Sequence, residues 1–253
     1  MADMLAQLPA RLWRGLLDLV TPGQCLHCRT PVVESACLCM ACWARLQHLD
    51  DPVCDMLGTP FAYDQGAGML SPAALAEPPG WDRARAAVIY DEVARTIASS
   101  LKYGDRQEAG LLMARMMLRA GRKLIAESDV IIPVPLHRWR LWKRRFNQSA
   151  YLAQRIAEDS GRQWVAQALV RRKRTRSQVG LDHDSRRKNV KGAFAVPEAQ
   201  LRRVAGKSVL LIDDVRTTGA TAEACAAALK RAGARNVSLL TFALVPAPAK
   251  IHI

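Results

Sequence analysis

The chain has 253 residues, half of them apolar, which is enough for one α/β core and a small appendage. No apolar run approaches the roughly 20 residues of a membrane helix, and thirteen prolines and fifteen glycines do not make a low-complexity chain. The net charge of +14 favours anionic partners.

Residues 1–20 carry Leu5, Leu8, Leu12, Leu16 and Leu17 at helical spacing. Asp3, Pro9, Arg11, Arg14 and Asp18 interrupt that face, so the segment is expected to be a short helix docked on its own protein rather than a secretory signal. Six of the seven cysteines lie within residues 25–54. Cytoplasmic location is the expectation, and clustered cysteines in a reducing compartment read as metal ligands before disulfides. Cys25-Leu-His-Cys28 and Cys39-Met-Ala-Cys42 form two C-x-x-C knuckles, the donor set of a structural zinc site. His27 and Cys37 are substitute ligands, and Cys54 is left over as a structural residue. A zinc module over 21–55 with almost no core of its own would draw its folding energy from the metal. Residues 56–80, rich in Gly, Pro and Ala, read as a linker.

From about Trp81 strands and helices alternate. Ala86–Tyr90 reads as a strand, and Asp91 caps a helix with Val93, Ile97 and Leu101 inward. A helix over about 106–124, a buried strand 129–133 and a helix from Asn147 follow. Trp164–Val170 reads as a further strand, and 171–192 as a long polar loop. Ser208–Ile212 is a buried strand, 213–219 a loop, 220–232 an alanine-rich helix with Cys225 as a small core residue, and 237–245 the last strand. The expected fold class is therefore α/β, a mainly parallel sheet flanked by helices, filling 81–253 behind the zinc-binding module. No internal repeat is evident. Between Leu136 and Gly192 sixteen Lys or Arg stand against four Asp or Glu, so most of the charge surplus lies in one window.

The sharpest motif is Asp213-Asp214-Val215-Arg216-Thr217-Thr218-Gly219-Ala220-Thr221 after a buried strand. Ligands of open α/β sheets sit at the carboxyl ends of strands. A helix start offers amides to a phosphate, the threonines add hydroxyls, and Gly219 permits close approach. Two neighbouring acids would repel a phosphate unless they bound vicinal ribose hydroxyls and held hydrated magnesium nearby.

This segment resembles the loop of type I phosphoribosyltransferases that binds phosphoribosyl pyrophosphate (PRPP). Val134-Pro135-Leu136-His137, Arg144-Arg145-Phe146-Asn147-Gln148, Leu101-Lys102-Tyr103-Gly104-Asp105 and Arg174-Thr175-Arg176-Ser177-Gln178, followed by Arg186, Arg187, Asn189 and Gly192-Ala193-Phe194, make the chain similar to the ComF family, competence proteins with an N-terminal zinc finger. Arg145 stands where that family has a glycine. The resemblance implies that Asp213 and Asp214 are the catalytic pair and that Asp213, Asp214, Thr217, Thr218, Gly219, Ala220 and Thr221 hold PRPP with Mg2+. It implies that Lys102, Arg138, Arg144, Arg145, Arg174 and Arg187 face pyrophosphate from surrounding loops, and that Cys25, Cys28, Cys39 and Cys42 hold Zn2+. The function it implies is that of an accessory factor in DNA uptake, with single-stranded DNA and DNA-uptake proteins as partners. Two other readings fit the residues: an active transferase of PRPP onto an unnamed acceptor, and a non-catalytic metal-stapled interaction module.

Overall fold

The computed structural model describes residues 23–63, 66, 68–102, 107–136, 146–173, 190 and 192–246, with Lys102 as backbone only. The expected helix over 1–20 and the side chains of Lys102, Arg138, Arg144, Arg145, Arg174 and Arg187 lie outside the described residues.

The N-terminal part opens with β1 (Gly23–Gln24) paired antiparallel to β2 (Pro31–Val32), then α1 (Met40–Arg45) and α2 (Pro72–Ala76). The main domain runs β3 (Arg83–Ile89), α3 (Glu92–Lys102), α4 (Gln107–Ala120), α5 (Arg122–Glu127), β4 (Val130–Pro133), α6 (Gln148–Ser160), β5 (Gln163–Trp164), β6 (Val170–Arg171) and β7 (Phe194–Ala195). It closes with α7 (Leu201–Val204), β8 (Ser208–Arg216), α8 (Ala220–Arg231) and β9 (Asn236–Leu244). Five strands form one parallel sheet in the order β3-β9-β8-β4-β5.

Alternation along the strands sends neighbouring side chains to opposite faces. Ile131, Leu210, Ile212, Leu240 and Phe242 join one buried cluster with α3, α4 and α6. Val130, Ile132, Val209, Leu211, Val237 and Leu239 join the other with α8. Both faces are thus covered, which is why these strands read as unbroken apolar runs.

Several elements differ from the sequence reading. The helix expected over 106–124 is two helices, α4 and α5, meeting at Gly121. A Cβ there would lie 2.5 Å from Leu240 Cδ2, so close packing on the sheet selects glycine at the break. The stretch 164–170 is not one strand: Gln163–Trp164 ends the parallel sheet, whereas Val170–Arg171 pairs antiparallel with Phe194–Ala195. That small ladder ties together the two feet of the long polar segment, reinforced by Arg172 N–H donating to Ala193 O at 2.8 Å. The last strand pair is longer than expected. β8 continues through Arg216, in register with β9 from Asp213↔Thr241 to Arg216↔Leu244. Asp213 and Asp214 therefore sit on the end of a central strand, not in a loop.

The cysteine-rich part is not a separate ball. Cys25, Leu26, Leu38, Cys42 and Leu46 pack into the same cluster as α3, α4 and α6. The chain then lies along β3: Ile89 N–H donates to Gln47 O at 2.8 Å and Leu49 N–H to Ala87 O at 3.0 Å. This contact covers a sheet edge that would otherwise be exposed.

Candidate functional site

The site is built at the carboxyl end of β8. Asp213 and Asp214 are both partly exposed there. One Asp213 carboxylate oxygen accepts from the Ser149 hydroxyl at 2.8 Å and from the Asp214 backbone N–H at 3.0 Å. Ser149 is placed by the start of α6, where Asn147 caps the helix by accepting from Ser149 N–H at 3.1 Å. An Asp214 oxygen accepts from Val215 N–H at 2.9 Å. Burial, and then the neighbouring Asp214 charge, push Asp213 up to about 8, against the opposing pull of the Ser149 hydroxyl. A perturbed acid at the carboxyl end of a strand is a feature that functional sites share with buried structural networks.

The turn that follows is set by Gly219, whose φ of +82° a side chain rarely adopts. A Cβ at that position would also lie 2.7 Å from Trp81 Cη2. Gly219 caps α8, and Glu223 N–H reaches back to its carbonyl at 2.9 Å, so the ladder begins one turn in. The first amides of such a helix lie outside the ladder and carry its positive pole. Thr217 is exposed, Thr218 and Thr221 half-buried, and Ala220 buried. The structure thus brings Asp213, Asp214, Thr217, Thr218, Gly219, Ala220 and Thr221 into one strand–turn–helix unit.

Arg216, which sequence reasoning did not single out, faces the protein. It is 7% exposed, lies 5.7 Å over the Trp81 ring, and donates to the Leu57 carbonyl. Burial lowers its pKa to about 10. A lone arginine between two acids and a threonine pair gives no signal of such a turn inward. Cys225 is fully buried in α8, and burial holds its thiol well above the ordinary range.

The second site is the cysteine cluster. The sulfurs of Cys25, Cys28, Cys39 and Cys42 all lie within 4.8 Å of one another, with Cys28 and Cys39 at 3.5 Å. Tetrahedral zinc with Zn–S of about 2.3 Å needs sulfurs about 3.8 Å apart, so the donor set and spacing fit that metal. The Thr30 hydroxyl and N–H lower Cys28 to about 6, whereas burial and the adjoining thiols push Cys42 up to about 12. All four positions are protein ligands, which leaves no open coordination position for chemistry. Cys37 instead donates to the Glu34 carbonyl at 2.9 Å, and His27 is likewise outside the cluster.

Comparisons with known proteins follow this division. A double zinc ribbon domain matches residues 16–73, and a phosphoribosyl transferase domain matches residues 151–251. The chain is 31% identical over 227 residues to the DNA utilization protein YhgH of Escherichia coli O157:H7, and 32% identical over 227 residues to that of Salmonella typhimurium. Each alignment covers 87% of this chain and 96% of the relative. It is 28% identical to competence protein F of Haemophilus influenzae, over 85% of this chain and 94% of that one. With a zinc ribbon packed on a phosphoribosyltransferase-type α/β domain, and with relatives matched almost end to end, this chain belongs to the ComF family.

Proposed function

We propose that the chain binds PRPP at residues 213–221 and acts as a cytoplasmic accessory factor in DNA uptake. The observation that carries this reading is the adjoining, half-buried pair Asp213 and Asp214 beside the glycine-capped start of α8. The acids take the ribose 2- and 3-hydroxyls. The first amides of α8, with the Thr217, Thr218 and Thr221 hydroxyls, take the 5-phosphate. Magnesium, when bound with the ligand, supplies charge neutralisation for the diphosphate. Burial and the Asp214 charge favour the neutral form of Asp213, and hydroxyl donors and cations both favour its ionised form. The family resemblance offers Lys102, Arg138, Arg144, Arg145, Arg174 and Arg187 as candidates for the diphosphate side.

The DNA role rests on the names carried by relatives of nearly equal length, and on the surplus of cations between 136 and 192. Single-stranded DNA suits that window because a dense set of cations meets a flexible phosphate backbone.

Calorimetric titration with PRPP and Mg2+ tests the site. The wild type binds one equivalent, and Asp213→Ala with Asp214→Ala loses at least a hundredfold in affinity while keeping its fold. Wild type without heat of binding, or a double variant that binds normally, contradicts the assignment. Release of pyrophosphate in the same cell, on addition of an acceptor, would extend binding to catalysis.

A further inference from the structure

Cys54, one of the cysteines outside the cluster, lies in a second copy of that cluster's backbone. Cys25, Thr30 and Pro31 recur at one constant spacing as Cys54, Thr59 and Pro60. Cys25 N–H donates to Thr30 O at 2.9 Å, and Cys54 N–H to Thr59 O at 2.8 Å. Arg29 N–H returns to Cys25 O at 3.0 Å, and Gly58 N–H to Cys54 O at 2.6 Å. Arg29 and Gly58 share a left-handed conformation, with φ of 64° and 62°. Gln24 pairs antiparallel with Pro31, and Val53 with Pro60.

The return arms match as well. Leu26 N–H donates to Cys37 O at 3.2 Å, and Asp55 N–H to Met69 O at 3.0 Å. Cys39 precedes α1 with φ, ψ of −68°, 162°, and Ser71 precedes α2 with −71°, 154°. Trp43 N–H donates to Cys39 O at 2.9 Å, and Leu75 N–H to Ser71 O at 3.2 Å. The ligand positions Cys25, Cys28, Cys39 and Cys42 thus correspond to Cys54, Leu57, Ser71 and Ala74.

We propose that the knuckle 54–60 and the return arm 69–74 form a second ribbon that takes no metal and serves instead as a brace beneath the ligand turn. Its donor set does not fit zinc. One thiol remains of four; a leucine and an alanine offer no donor, and the Ser71 hydroxyl is used by Ala74 N–H at 3.3 Å. Cys54 Sγ accepts from Leu57 N–H at 3.4 Å and Ser71 N–H at 3.2 Å, and Cys54 and Ala74 are both fully buried. Leu57 packs against the cluster on the α8 face of the sheet. The knuckle's carbonyls point to the site: Met56 O accepts from the Trp81 indole N–H at 2.8 Å, and Leu57 O from Arg216. Asp55 fixes the knuckle to β3 through Arg83 at 2.9 Å and Arg85 at 2.8 Å. The chain of contact runs from the knuckle through Trp81 to Gly219 and through Arg216 to the end of β8. The family's two ribbons have diverged here, one into a metal staple and the other into a positioning element.

Metal content of the purified full chain tests the ribbon claim without reference to PRPP. Wild type and Cys54→Ser each carry one zinc, and Leu57→Cys/Ser71→Cys/Ala74→Cys carries two, with doubled thiolate-to-metal absorption after cobalt exchange. Two zincs in the wild type, zinc lost from Cys54→Ser, or one metal in a folded triple variant overturns the proposal. If the triple variant does not fold, the other two counts still decide it. The brace rests on the PRPP reading. Trp81→Leu is expected to weaken Mg2+–PRPP binding at least tenfold with zinc content unchanged, and Trp81→Phe, which keeps an aromatic ring but not the indole N–H to Met56, to restore part of it. Undiminished binding by a folded Trp81→Leu overturns the brace, whereas a wild type that never binds overturns only the ligand assignment.

Discussion

Asp213 is the residue on which the electrostatics of the site turn. Its pKa in the folded chain is about 8, against 3.8 ordinarily, because burial and Asp214 disfavour its charge. A folded-state pKa above the unfolded one means that the stabilising contribution is complete below the unfolded value. It is lost as pH rises through the folded value. The ligand-free protein should therefore lose stability between about pH 4 and pH 8 through this group. Asp213→Asn removes that dependence and should raise the melting temperature relative to wild type at pH 8.5 but not at pH 4.5. Thermal unfolding at both pH values checks it; equal differences at the two would show that Asp213 ionises freely. The identity of the acids, threonines and Gly219 as one unit was legible in the sequence because hydroxyls, carboxylates and a glycine converge after an apolar run. The inward turn of Arg216 was not, since its partners, Leu57 and Trp81, are distant in the chain.

At the scale of elements, apolar strands and capped helices were readable, and elements held by backbone pairing were not. Val130–Pro133 and Val209–Ile212 of β8 are buried, and their composition announces it. The extension of β8 over Asp213–Arg216 is polar in sequence and is carried by its ladder with β9. The second ribbon was hidden for a related reason. Three of its four ligand positions have changed, so the repeat survives in hydrogen bonds and turn conformation rather than in cysteines. The first ribbon was plain from its two knuckles, although the expectation that it lacks a core did not anticipate its packing against α3, α4 and α6. Cys25→Ser removes one of four thiolates and should release the zinc. It should also lower stability by about 3 kcal/mol, a fall of roughly 6–12 °C in melting temperature for a domain of this size. Metal analysis and calorimetry check this; full zinc content in the variant would show that Cys25 is not a ligand.

In the whole molecule, the parallel sheet holds the candidate site at the carboxyl end of β8, and the N-terminal part contacts the domain in two places. Residues 47–49, after the first ribbon, cover the β3 edge, and the second ribbon underlies the turn after β8. No helix among the described residues is long and apolar enough to cross a membrane. The order of strands and the docking of the ribbons were beyond the sequence, because both depend on pairings between segments far apart in the chain. The cation surplus between 136 and 192 gives the molecule a second, electrostatic function to test. Binding to single-stranded DNA should weaken with salt. Arg138→Ala, Arg144→Ala and Arg145→Ala together should reduce the slope of log K against log salt by about 2. A slope unchanged by the three substitutions would remove this window from the DNA role. The account as a whole is tested most directly by a crystal structure with PRPP and Mg2+. It predicts the ribose diol on the carboxylates of Asp213 and Asp214 and the 5-phosphate at the first turn of α8; a sugar phosphate bound elsewhere, with those carboxylates untouched, would contradict it.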